Sequence, residues 1–172
     1  SRYVYPGLTD YISRICSTLP EALSVGFLVN SGSEANELAV RLARAYTGNF
    51  DMAVIEGAYH GHTGMLIDLS PYKFRGLGGK GRPERWVNVL PIPDSYRRAG
   101  TNFAEEAITH LDQCGPVAGV LIESMLSCAG QIPLPSEYLS TVATEIRGKG
   151  GLLIADEVQV GFGRTGANMW AF

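Results

Sequence analysis

Residues 152–166, Leu-Leu-Ile-Ala-Asp-Glu-Val-Gln-Val-Gly-Phe-Gly-Arg-Thr-Gly, constrain the fold more than any other stretch. Four consecutive apolar residues behind Gly150-Gly151 fit a short strand buried on both faces, the habit of parallel sheets packed between helices. Such a strand carries Asp156 to its C-terminal edge, just ahead of a loop paced by Gly161, Gly163 and Gly166. Open α/β sheets bind ligands beyond the carboxyl ends of their strands. A carboxylate held there suits a cation or a protonated ring nitrogen. Capping of the loop, or an ion pair with Arg164, accounts for the same acid.

The rest of the chain alternates helix and strand patterns. A helix is expected over Thr9–Leu19, stopped by Pro20, and a strand over Phe27–Asn30. From Glu34 to Thr47, Ala35, Leu38, Ala39, Leu42, Ala43 and Tyr46 recur at helical spacing as one apolar stripe, and Gly48 supplies the stop. Met52–Glu56 and Trp86–Leu90 read as strands, with residues 71–85 an irregular excursion between them. Phe103–Leu111 reads as a helix, Val117–Ile122 as a buried strand ending in Glu123, and Glu137–Arg147 as a helix capped by Pro135-Ser136. The span from Glu123 to Asp156 suits one strand–helix–strand crossover, which needs roughly 30 residues. Both acids then leave the sheet on one edge, joined by the end of the 27–30 strand if that is parallel too. The predicted fold is α/β, three layers deep, with a mostly parallel sheet and helices on both faces.

Composition narrows the partners. A net charge of −3 with no long basic run argues against nucleic acid. The stretch from Lys73 to Arg85 is broken by glycines and a proline, and reads first as a solvated loop and second as one that touches phosphate. No apolar run approaches the ~20 residues that span a bilayer. Cys16, Cys114 and Cys128 lack metal-type spacing, and His60 and His62 have no partner at ligand spacing, so no metal site is expected. Free thiols and the lack of a signal peptide suggest a cytoplasmic protein.

Asn30-Ser31-Gly32-Ser33-Glu34 precedes the best-patterned helix. The first turn of a helix offers unpaired N–H groups and partial positive charge, a natural seat for phosphate. Ser31 with Glu34 also fits a capping box, which leaves Gly32 and Ser33 unexplained. The order is neither a Walker loop nor G-x-G-x-x-G, so a nucleotide is the weaker version of the idea. Tyr59-His60-Gly61-His62 follows a strand on the same edge, where Tyr59 can stack on a flat heterocycle or sit as a core-edge tyrosine. For His60 and His62, loop capping and solvent are the simplest uses.

Ser31-Gly32-Ser33-Glu34-Ala35-Asn36, Tyr59-His60-Gly61, Glu123-Ser124 and Asp156-Glu157-Val158-Gln159-Val160-Gly161-Phe162-Gly163-Arg164 together resemble the class III aminotransferases. These are fold type I enzymes dependent on pyridoxal 5′-phosphate (PLP). Pro71-Tyr72-Lys73-Phe74, Glu123 to Cys128, Gly130-Gln131-Ile132 and Trp170-Ala171-Phe172 look like the branch holding ethanolamine-phosphate and phosphohydroxylysine phospho-lyases. The resemblance implies that Gly32 and Ser33 hold the cofactor phosphate, with His60 also among the cofactor-binding residues. Tyr59 and Val158 would cover the two ring faces, Asp156 would pair with the pyridine nitrogen, and Gln159 would lie near the phenolic oxygen. Glu123 would shape the substrate side and count with Asp156 as catalytic.

The resemblance further implies a homodimer acting on a small amino donor and a 2-oxo acid, or on a phosphorylated amine. Residues 1–25 would be a helical lead-in, and 26–172 the central part of the PLP-binding large domain, without the small domain. The family's lysine for the Schiff base lies beyond the Asp-Glu-Val-Gln motif, and Lys73, Lys80 and Lys149 do not match its position. The chain is therefore expected to be a fragment, inactive alone. Three functions stand open: transaminase core, phospho-lyase core, or a non-catalytic α/β module for a phosphorylated ligand.

Overall fold

Seven residues, Val117–Glu123, form the central strand of the protein, and every one of them is buried. The computed structural model describes residues 3–172. Numbered in chain order, the helices are α1 (Pro6–Cys16), α2 (Gly32–Thr47), α3 (Gly64–Asp68), α4 (Pro71–Phe74), α5 (Phe103–Gln113) and α6 (Tyr138–Gly148). The strands are β1 (Asp51–Ile55), β2 (Val87–Leu90), β3 (Val117–Glu123), β4 (Met125–Leu126), β5 (Ile132–Pro133) and β6 (Leu152–Asp156). Contacts divide the chain into two units, one ending at Asn30 and one running Ser31–Phe172.

In the second unit the sheet order is β2-β1-β3-β6, and each of its pairings is parallel. Side chains alternate across a strand, so each strand feeds two cores. Ala53, Ile55, Val120 and Ile122 pack with Phe103, Ala107 and Leu111 of α5 and Val142 and Ile146 of α6. Met52, Val54, Ala118 and Leu121 pack with Val40 and Ala43 of α2 and with Leu66 of α3. Helices therefore cover both faces of a parallel sheet, as predicted. Gly119 sits opposite Leu152 in the β3–β6 ladder, and a Cβ there would collide with the Leu152 carbonyl oxygen.

Several expectations change. Phe27–Asn30 is not a strand: it lies in no ladder, and Val25, Phe27, Leu28 and Val29 are exposed. An apolar run states a preference for a strand, and the ladder that would satisfy it is absent among the described residues. The first unit otherwise holds α1, which begins at Pro6 rather than Thr9 because a proline at the start of a helix brings a preset φ and loses no needed N–H.

The buried edge of α2 is Asn36, Val40 and Ala43, sharing only Ala43 with the predicted stripe, and Leu42 and Tyr46 face outward. The strand β6 is only half-buried up to Asp156, because β3 flanks it on one side alone. Tyr138 opens α6 after Glu137, whose φ of 64° is left-handed, and no side chain caps it; Ser136 does not serve. Within 71–85, the four residues of α4 are helical, which places Lys73 on a helix. The antiparallel pair β4–β5 and the helix α3 are too short for periodicity to announce. No helix among the described residues is long and apolar enough to cross a membrane.

Candidate functional site

The site lies beyond the carboxyl ends of β3 and β6, where Glu123 and Asp156 stand opposite one another in the ladder. Ser31, Gly32, Ser33, Tyr59, His60, Gly61, Glu123, Asp156, Val158 and Gln159 line one open cavity of about 150 Å³. All the site residues expected from sequence thus meet in one place. The third strand end expected there is replaced by the start of α2 and the loop after β1.

Asp156 is buried and receives three hydrogen bonds. Asn36 Nδ2 donates to Oδ2 at 2.8 Å, and His60 Nδ1 reaches the same oxygen at 2.8 Å. The Val158 N–H donates to Oδ1 at 3.1 Å. An ionised carboxylate only accepts, so three donors match that form and place the proton of a neutral His60 on Nδ1. Val158 therefore realises the loop-capping use of Asp156, on the oxygen left with a free lone pair, while the acid's partners are not Arg164.

His60 departs from the simplest use read for it, loop capping and solvent, and lines the cavity among the residues the resemblance named. The side chain is fully buried, and its Nε2 has no hydrogen-bond partner among the described residues. Its backbone is fixed twice: the N–H donates to Ser70 Oγ at 3.0 Å, and the carbonyl accepts from Asn36 Nδ2 at 3.0 Å. Asn36 thus ties α2, the 58–62 loop and β6 together. Asn36 and Ser70 were not picked out by sequence. A signal existed for Asn36, since 36, 40 and 43 follow helical spacing and put a polar side chain at the end of a buried edge.

The start of α2 is held by Ser31, whose hydroxyl accepts the Glu34 N–H at 3.1 Å while its carbonyl accepts the Ala35 N–H at 3.0 Å. The capping half of the expected box is therefore in place. The helix has no carbonyl for the N–H groups of Gly32 and Ser33, which open on the cavity. A Cβ on Gly32 would come 2.7 Å from Val158 Cγ2, so glycine keeps that corner open. Gly61, at φ 138°, passes so close that a Cβ would lie 2.6 Å from Ser33 Oγ.

Glu123 is spent differently. Its Oε1 accepts the Tyr59 N–H at 2.9 Å, and its Oε2 accepts both the Ser127 N–H at 3.0 Å and the Ser127 hydroxyl. The acid pins the Tyr59 backbone to the β4 turn. Tyr59 in turn meets Tyr72 edge to face, with ring centroids 6.3 Å apart. Val158 and Gln159 are exposed and also line the cavity.

Comparison with known proteins agrees with this geometry. The family model for class III aminotransferases matches residues 5–172, and the chain belongs to that family. It is 43% identical to an ethanolamine-phosphate phospho-lyase homolog of Caenorhabditis elegans, over 99% of this chain and 40% of the relative. It is 41% identical to an alanine–glyoxylate aminotransferase 2-like protein of Drosophila melanogaster, over 100% of this chain and 38% of the relative. An Arthrobacter phospholyase solved in complex with phosphoethanolamine superposes with a TM-score of 0.85 at 38% identity, over 99% of this chain and 42% of that one. The chain thus spans about 40% of the curated relatives it matches.

Proposed function

We propose that this chain supplies the phosphate seat, ring seat and ring-nitrogen acid of a PLP-dependent enzyme that moves an amino group between an amine or amino acid and a 2-oxo acid. The observation that carries the reading is the Asp156 carboxylate. One of its oxygens is doubly held and the other keeps a lone pair, in the cavity onto which the start of α2 opens. When bound, PLP supplies an electron sink for negative charge at the amine's Cα, and a protonated ring nitrogen deepens it.

The residues present fit that cofactor. Gly32 and Ser33 offer N–H groups to its phosphate, and the corner kept free of a Cβ admits it. Tyr59 and Val158, both lining the cavity, would cover the two faces of its ring, and Gln159 would serve its phenolic oxygen. At an effective dielectric of ~20, opposite charges about 4 Å apart attract by roughly 4 kcal/mol, ample for Asp156 to keep a ring nitrogen protonated. Asn36 and His60 fix where that charge stands, and Glu123 fixes Tyr59. Residues 26–172 then belong to a large cofactor-binding domain, and the full-length enzyme is a homodimer.

A second reading is specifically favoured by the phospho-lyase relatives: elimination of phosphate and ammonia from a phosphorylated amino alcohol. The two share every step up to loss of the Cα proton. Full-length enzyme loaded with PLP should show a visible cofactor band that bleaches on adding its substrate. Incubation with phosphoethanolamine, reading phosphate and ammonia, against alanine with a 2-oxo acid, reading the new amino acid, separates the readings. A full-length protein that takes up no PLP overturns both.

A further inference from the structure

The protein's three lysines are used unequally. Lys80 pairs with Asp68 and Glu84, and Lys149 with Asp112 and Glu145. Lys73 has no ion pair among the described residues. Its ammonium stands 5.6 Å from the Tyr59 ring centroid and 5.4 Å from that of Tyr72. The Glu123 carboxylate serves Tyr59 and Ser127 instead.

The placement is built into the fold. The Tyr72 N–H of α4 donates to the Ala58 carbonyl at 3.1 Å, and Ser70 just before α4 accepts the His60 N–H at 3.0 Å. Pro71 and Phe74 are buried on either side. The short helix is thus bolted to the segment that carries Tyr59, and Tyr59 lines the cavity. A cation resting on two aromatic faces has no anionic partner to neutralise it and remains open to an anion.

We propose that Lys73 is the specificity residue of the site: it takes the phosphate monoester of a phosphorylated amine whose amino end reaches the cavity. The proposal rests on the reading of Tyr59 as the cofactor's ring seat. Lysine suits the task, as a compact point charge with three donors for a dianionic group.

The test uses full-length, PLP-loaded enzyme and its Lys73→Met and Lys73→Arg variants. KM for phosphoethanolamine and the inhibition constant of inorganic phosphate are measured beside the cofactor's absorption spectrum. Lys73→Met should raise both constants about tenfold or more, with Lys73→Arg recovering most of the loss and the spectrum unaltered. Constants unmoved in Lys73→Met overturn the proposal. So does loss of the cofactor band in that variant, which would make Lys73 a prop for Tyr59, and so does a wild type that neither accepts phosphoethanolamine nor is inhibited by phosphate. A wild type without any cofactor band fails at the earlier reading instead.

Discussion

Glu123 and Asp156 end neighbouring strands in register, and both are buried, yet their carboxylates are employed in opposite ways. Glu123 gives its oxygens to two backbone N–H groups and a serine hydroxyl, all within the loops it joins. Asp156 is gripped on one oxygen by two side chains from distant segments and accepts one loop N–H on the other. Each carboxylate accepts three hydrogen bonds, but the first acid fastens adjoining loops and the second is a charge positioned by side chains from distant segments. Burial and strand position alone do not distinguish them. The origin of the donors does.

Breaking this contrast should have graded effects. Asp156→Asn in the full-length enzyme removes the charge and puts an amide donor among donors; turnover should fall by about a thousandfold, the loss of roughly 4 kcal/mol. Measured kcat close to wild type would remove Asp156 from its role. Glu123→Gln replaces an acceptor oxygen by a donor facing Tyr59 or Ser127, and should cost about 2 kcal/mol of stability, read as a lowered midpoint in urea. A larger loss of turnover than of stability there would mean that the two acids are not divided as described.

Asn36→Leu strips one donor from Asp156 and leaves the His60 carbonyl buried without its partner. About 1.5 kcal/mol of stability should go, with PLP affinity weakened in an absorbance titration. Unchanged affinity would show that His60 alone orients the acid.

A surface carboxylate gives the baseline. Hydrogen bonding from Arg98 holds the Glu106 carboxyl below its ordinary 4.5. A depressed folded value means that the stabilisation is whole above about 4.5 and is lost as pH falls through the lower folded value. Arg98→Met should flatten that acid limb only slightly in urea titrations from neutral to acid pH, the smallest effect of the set.

Much of this was legible in the chain, for reasons that differ by element. Val117–Ile122 and Leu152–Ala155 announced themselves because continuous apolar runs of that length fit parallel strands between helices. That Glu123 and Asp156 leave the sheet on one edge followed from the strand–helix–strand crossover, whereas their register came only with the structure. The Phe27–Asn30 run carries the same composition and failed, since a ladder needs a partner that composition does not reveal. His60 and Asn36 were visible as residues but not as a pair. Their shared hold on Asp156 joins positions separated by 96 and 120 residues, a tertiary fact. On α2, leucine and tyrosine outweighed Asn36 in any reading by hydrophobicity, although Asn36 lies on the buried edge and Leu42 and Tyr46 do not.

Gly119 gives the sheet a weak spot with distant reach. It faces Leu152 in the same ladder that, four steps on, sets Glu123 beside Asp156. A single methyl group at 119 would act as a wedge between two backbones, with no flexible side chain to absorb it. The spacing of the two acids is thus governed in part by a residue that has no side chain, buried a full strand's length from the chemistry.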